Sequence, residues 1–226
     1  MAFEIVYHDN EDQLLKFMSN GDRMMRAAEI KSIIEDNIRG FEELETFVTH
    51  DSKISSSMIK NLHQIFTKNA RFVLNIDNSV LLIRRGEYKL FPNYIKNSEG
   101  NLILFARPSR VSQLIDDLVG EIQNLIFSGL NPIEISAFVH VNFIQIHPFS
   151  DGNGRVARAL TSLILLRNGL LPFNVFNEVK GTYIDCLESA RDKHDYLPFI
   201  NFIVIQQLSM MKFLETENYE EYKLLI

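Results

Sequence analysis

The 226-residue chain has one cysteine, Cys186, no tryptophan, and only six prolines and ten glycines. A single thiol closes no internal disulfide and makes no CxxC metal or haem motif, so a reducing compartment is expected. No Pro-, Gly- or Ser-rich linker divides the chain, and no repeat or low-complexity tract appears beyond Ser55, Ser56 and Ser57. One compact domain over 1–226 is the expectation. Basic residues do not dominate: 23 Lys and Arg stand against 29 Asp and Glu, a net charge of −6. That balance argues against a nucleic-acid partner. No apolar run is long enough to span a bilayer, and residues 1–13 lack a basic stretch followed by an apolar one. A soluble, cytoplasmic protein without a membrane partner is therefore expected.

What is present is ordinary globular material, 46% apolar and 23% charged, in which helical periodicity prevails. Leu14, Leu15, Phe17 and Met18, then Met24, Met25, Ala28, Ile30, Ile33 and Ile34, recur at helical spacing, with Gly40 as the expected stop. A second helix is expected over 56–66, so that about 1–70 forms an N-terminal helical region. Residues 80–106 read differently. Apolar runs at 80–83 and 102–105 flank the turn-like Asn97-Ser98-Glu99-Gly100-Asn101, which predicts a β-hairpin projecting from a helical body.

Helices resume over about 109–127, ended by Gly129, and again from Asn131-Pro132-Ile133-Glu134, where Asn caps and Pro suits the first turn. Nine of the fourteen residues 133–146 are apolar, too many for a one-sided surface helix, so this helix is expected to be central. Further helices are expected from Gly154 to Asn168-Gly169, over 177–191 and over 196–214. The fold class is thus mainly α, with a core over about 71–214 and an acidic tail at 215–226.

The chemistry concentrates at His147-Pro148-Phe149-Ser150-Asp151-Gly152-Asn153-Gly154-Arg155-Val156-Ala157-Arg158. Pro148 disfavours helix at His147, which presents the imidazole at the mouth of a loop. Gly152-Asn153-Gly154 can take positive φ, so successive N–H groups can converge on an anion at a helix N-terminus. Arg155 and Arg158, three apart, share a face there and oppose the macrodipole unless an anion offsets them. Asp151 supplies a hard oxygen for Mg2+ shared with phosphate, and His147 can accept a proton near neutrality. Asp-Gly-Asn-Gly alone is a common turn, and Phe149 reads as a core anchor. The whole constellation in fixed register arises by chance in far fewer than about one such chain in a million. These are the parts of a phosphoryl- or nucleotidyl-transfer site.

The segment His-x-Phe-x-Asp-Gly-Asn-Gly-Arg-x-x-Arg at 147–158 resembles the signature of the Fic domain, the fold of protein adenylyltransferases. The resemblance extends from about Ile33 to Phe202, through Leu104-Phe105-Ala106-Arg107-Pro108 and Gly169-Leu170-Leu171-Pro172. It implies that His147 is the general base, that Asp151 holds Mg2+, that Gly152, Asn153 and Gly154 cradle the α- and β-phosphates of ATP, and that Arg155 and Arg158 meet its outer phosphates. The implied reaction leaves AMP on a Ser, Thr or Tyr hydroxyl of a target protein and releases pyrophosphate. Residues 87–106 look like the family's flap, able to pair with a target segment by strand addition. Tyr183 resembles an adenine contact, with an ordinary packed tyrosine as the alternative. The family's inhibitory helix carries Ser/Thr-x-x-x-Glu-Gly/Asn. Here Lys31-Ser32-Ile33-Ile34-Glu35-Asp36 occupies that place, with Glu35 matching and expected to pair with Arg158 at the expense of the arginine's γ-phosphate contact, while Lys31 and Asp36 depart from the pattern, and the alternative is a solvated helix acid. Transfer of another group, removal of AMP, a nucleotide-responsive module or toxin component, and a homodimer all remain open. His140 reads as packing or a local hydrogen bond, and His63 as structural or exposed.

Overall fold

A computed structural model describes residues 23–50, 53–70, 72–74, 80–96 and 100–215. Among them are seven α-helices, in order α1 (Arg23–Thr49), α2 (Ser56–Phe66), α3 (Pro108–Phe127), α4 (Pro132–Ile146), α5 (Asn153–Arg167), α6 (Lys180–Lys193) and α7 (Leu197–Glu215). A 3-10 turn at Asn177–Val179 leads into α6. Four short strands, β1 (Phe72–Leu74), β2 (Val80–Leu82), β3 (Tyr94–Lys96) and β4 (Leu102–Leu104), lie between α2 and α3. The expected helix at 14–18 and the tail at 216–226 lie outside the described residues.

The helix starts follow local chemistry. Ser55 caps α2 by accepting from the Met58 N–H at 3.2 Å, and Asn131 caps α4 by accepting from the Ile133 N–H at 2.9 Å, with Pro132 in the first turn. The apolar surplus of α4 is explained by two cores on its two sides. Ile135, Val139, Phe143 and Ile146 enter one with α2, α3 and α5. Ala137 and Val141 enter the other with Phe173, Phe199, Phe202 and Ile203. Helix α5 is more enclosed still, buried at every position from Arg155 to Leu165. It packs on α1, α2 and α4, so the loop joining α4 to α5 emerges from the best-packed part of the molecule.

Two expectations are corrected. Gly40 does not end α1, which runs on to Thr49; a Cβ at Gly40 would lie 2.2 Å from the Phe66 ring. The glycine is there so that α1 can cross the end of α2, a requirement of tertiary contact rather than of helix termination. The apolar run at 80–83 does not pair with 102–105 either. Antiparallel β1 and β2 join Phe72 to Leu82 and Leu74 to Val80, while β3 and β4 form a second hairpin with Tyr94 opposite Leu104 and Lys96 opposite Leu102. Between them the chain turns at Gly86, with φ +72°.

Candidate active site

His147 terminates α4. Its N–H donates to the Phe143 carbonyl at 3.0 Å, and its own backbone is left-handed, φ 51°, a conformation a non-glycine residue holds only under tertiary constraint. The ring lies flat on Phe105, centroids 3.9 Å apart and 10° from parallel. Nδ1 is 3.3 Å from the Ile144 carbonyl. A carbonyl only accepts, so Nδ1 carries the hydrogen and Nε2 presents its lone pair. Burial, then the charge of Lys89, pushes the imidazole down to about 3. That shift holds His147 neutral at physiological pH.

The loop beyond it is fixed by side chains. Asn153 accepts from the Phe149 N–H at 2.9 Å and donates to the Phe149 carbonyl at 2.8 Å, clipping the turn shut. Gly152 has φ +75°, and a Cβ there would lie 2.8 Å from Thr67 Cγ2 and 3.3 Å from His63, so only glycine fits against α2. Arg155 donates to the Phe66 carbonyl at 2.6 Å and to Asp151 Oδ2 at 3.1 Å. Arg158 is buried on the same helix face. The first turn of α5 therefore offers backbone N–H groups and cationic charge together, the electrostatics of a phosphate site.

The Fic/DOC family model matches residues 53–165, half of the chain. This chain belongs to the Fic/DOC family. The protein adenylyltransferase fic-1 of Caenorhabditis briggsae is 33% identical over 96 residues, 42% of this chain and 19% of that protein. The protein adenylyltransferase Fic of Nematostella vectensis is 42% identical over 74 residues, 33% of this chain and 17% of that protein. The matched segment thus spans about a fifth of the length of these curated relatives. A Fic domain containing signaling protein from Bacteroides thetaiotaomicron shares the fold, with a TM-score of 0.74 at 23% identity, over 92% of this chain and 83% of that one.

Within this Fic domain the structure gathers His147, Asp151, Gly152, Asn153, Gly154, Arg155 and Arg158 into one loop and helix turn. The cradle assigned to Asn153 is refined: its side chain serves the loop, leaving only its backbone for a phosphate. Arg155 is likewise committed to Phe66 and Asp151. Tyr183 has the packed geometry that was its alternative, 8% exposed in the second core with its hydroxyl 2.8 Å from His140 Nε2. The direction of that bond can be worked out. Thr161 gives its only hydroxyl hydrogen to Ala157 O, so it accepts from His140 Nδ1–H, and His140 Nε2 must accept from Tyr183.

Glu35 lies on the exposed side of α1. Its carboxylate is 47% exposed and pairs with Lys31, one turn back, at 3.9 Å, which is the solvated-acid geometry and not a pairing with Arg158. The acid of α1 that turns inward is its neighbour. Asp36 is buried and accepts from the Asn69 N–H at 2.7 Å and from Asn69 Nδ2 at 2.8 Å. Burial raises its carboxyl, opposed by the Asn69 hydrogen bond and by Arg155 and Arg39.

Several residues at the site carried no sequence signal of their own. His63 is one. Gly86 N–H donates to its Nδ1 at 2.9 Å, so its Nε2–H donates to the Asp151 carbonyl at 3.0 Å, and its ring stacks on Phe149 at 3.8 Å. Burial holds it near a pKa of about 4. Lys89 and Asn93 are the others, brought in from the flap together with Phe105, which the sequence marked only as part of the 104–108 segment.

The donor set suits one kind of metal site. Among the described residues no group of three His, Cys, Asp or Glu converges as a ligand cage, whereas Asp151 spends Oδ2 on Arg155 and keeps Oδ1. One carboxylate oxygen beside a phosphate cradle matches the way Mg2+ is held, by one or two carboxylates plus substrate phosphates.

Proposed function

We propose that this Fic protein is a protein adenylyltransferase that moves AMP from ATP to a Ser, Thr or Tyr hydroxyl of a target protein. The observation that carries the reading is the placement of His147, whose Nδ1 faces the Ile144 carbonyl and leaves Nε2 as the open nitrogen, at the end of a loop whose other end is the arginine-bearing first turn of α5. Nε2 accepts the hydroxyl proton as the oxygen attacks the α-phosphate; the bond to the β-phosphate breaks and pyrophosphate leaves. Arg158 and the N–H groups of Gly152, Asn153 and Gly154 hold and neutralise the phosphates, so most of the rate gain comes from positioning and charge. Asp151 would hold Mg2+, which supplies charge neutralisation to the phosphates when bound. The names of the relatives support the same activity.

The test is incubation of the full chain with labelled ATP and Mg2+, reading AMP on protein by intact mass and released pyrophosphate. Transfer by the wild type and none by His147→Ala, with ATP binding retained, is the expected result. Reversible ATP binding without covalent AMP on any protein of a lysate would make the chain a nucleotide-responsive module instead.

A further inference from the structure

The segment leading into β3 grips the backbone on both sides of His147. Lys89 N–H donates to the Pro148 carbonyl at 2.9 Å, and Lys89 Nζ reaches the Ile146 carbonyl at 3.4 Å. Nζ also donates to Asn93 Oδ1 at 2.6 Å, and Asn93 Nδ2 donates to the Phe149 carbonyl at 2.9 Å. Three carbonyls flanking His147, those of Ile146, Pro148 and Phe149, thereby accept hydrogen bonds from one short stretch of chain. The same stretch controls the ring, because Phe105 N–H donates to the Asn93 carbonyl at 3.2 Å and Phe105 is the residue stacked on the imidazole.

We propose that Lys89, braced by Asn93, is a positioning residue that locks His147 to the base of the flap, so that a hydroxyl presented along the flap meets Nε2 in register. Packing alone does not account for a lysine here. The side chain is 4% exposed, its described partners are neutral, and burial lowers its ammonium to about 8. An unbranched apolar residue would fill the space without that desolvation cost. What the ammonium adds is directed hydrogen bonds to Ile146 and Asn93, and its charge bears on His147. That charge gives a readout that does not depend on turnover.

This inference rests on the adenylyltransferase reading, and its test separates the two. In full-length protein, Lys89→Met should lower kcat by roughly tenfold to a hundredfold, the scale on which about 1 Å of misplacement acts, while the KM for ATP changes by less than about threefold. Its His147 imidazole, followed by NMR, should titrate at a higher pH than in wild type. Lys89→Arg keeps the charge and the donors and should recover most of the lost kcat. Asn93→Ala, which breaks the same brace without removing the buried cation, should show the same kcat-against-KM split if Lys89→Met does not fold. Unchanged kcat, a KM for ATP that rises in step, or a His147 titration that does not move would each overturn the proposal. Absence of transfer by the wild type would remove the functional reading, and the titration would then still decide whether Lys89 acts on His147.

Discussion

The first turn of α5 and the flap meet at His147, yet one is spent on the protein and the other faces out. Asn153, Arg155 and Arg158 are buried, and the first two are hydrogen-bonded within the chain to Phe149, Phe66 and Asp151. On the flap, Leu90, Phe91, Ile95, Leu102 and Leu104 stand between 41% and 73% exposed. The turn is pre-organised by core contacts, so its geometry does not wait for a ligand; the flap carries apolar surface of the kind that marks an interaction site. The two regions are thus built with different materials, and Lys89 and Phe105 join them.

The sharpest way to break this comparison is at Gly152. Gly152→Val combines a positive φ with a collision against Thr67 and His63, and ATP affinity should fall by at least about tenfold, with a strain cost of roughly 1–3 kcal/mol. Calorimetric titration with ATP checks it, and undiminished affinity would mean that the turn is pliable rather than pre-organised.

Acidification should weaken the turn next. His63 and His140 are held neutral in the fold, near about 4 and about 3. As pH falls from the ordinary histidine value of about 6.5, the unfolded chain takes up protons that the folded chain refuses. Stability is therefore fully present above that value and declines toward the folded pKa values. Protonation of His63 Nδ1 also removes the acceptor for Gly86 N–H. The melting temperature should drop steadily from pH 6.5 to 4, and a flat profile would show these rings to be reached by water.

A smaller effect comes from α1. Asp36→Ala removes two hydrogen bonds from Asn69 and the buried carboxylate that makes them, and should cost about 1–3 kcal/mol in denaturant unfolding. Glu35→Gly should leave AMP transfer within about twofold of wild type, because an exposed acid paired with Lys31 contributes little. Marked activation by Glu35→Gly would restore the inhibitory pairing with Arg158. Smallest of all in stability is the flap: Leu102→Ser with Leu104→Ser should shift unfolding and ATP affinity by no more than about 0.5 kcal/mol while raising the KM for a protein target. A melting temperature lowered as far as by Gly152→Val would place the flap in the folding core.

Much of the fold was legible because its signals are local. Asn131 and Pro132 open α4 with a cap and a fixed φ, and Pro148 with His147 closes it, all within a residue or two of the boundary. The apolar surplus of α4 likewise announced a helix packed on more than one side. Gly40 was misleading for the opposite reason. Its role is a contact with Phe66, and nothing in the residues around Gly40 distinguishes a helix stop from a helix crossing.

The sequence by itself determined the identity and order of the chemical groups at 147–158, since an imidazole, a carboxylate, two glycines and two arginines in that register carry their chemistry wherever the loop is placed. Tertiary structure alone decided what each group touches. It turned Asp36 inward and Glu35 outward, drew Tyr183 into the second core, gave β2 the partner β1, and brought Lys89, Asn93 and Phe105 around His147. The physical reason is separation along the chain. His63 meets the Asp151 carbonyl across 88 residues and Arg155 meets that of Phe66 across 89, and no periodicity, cap or turn within either segment encodes which distant surface it will meet.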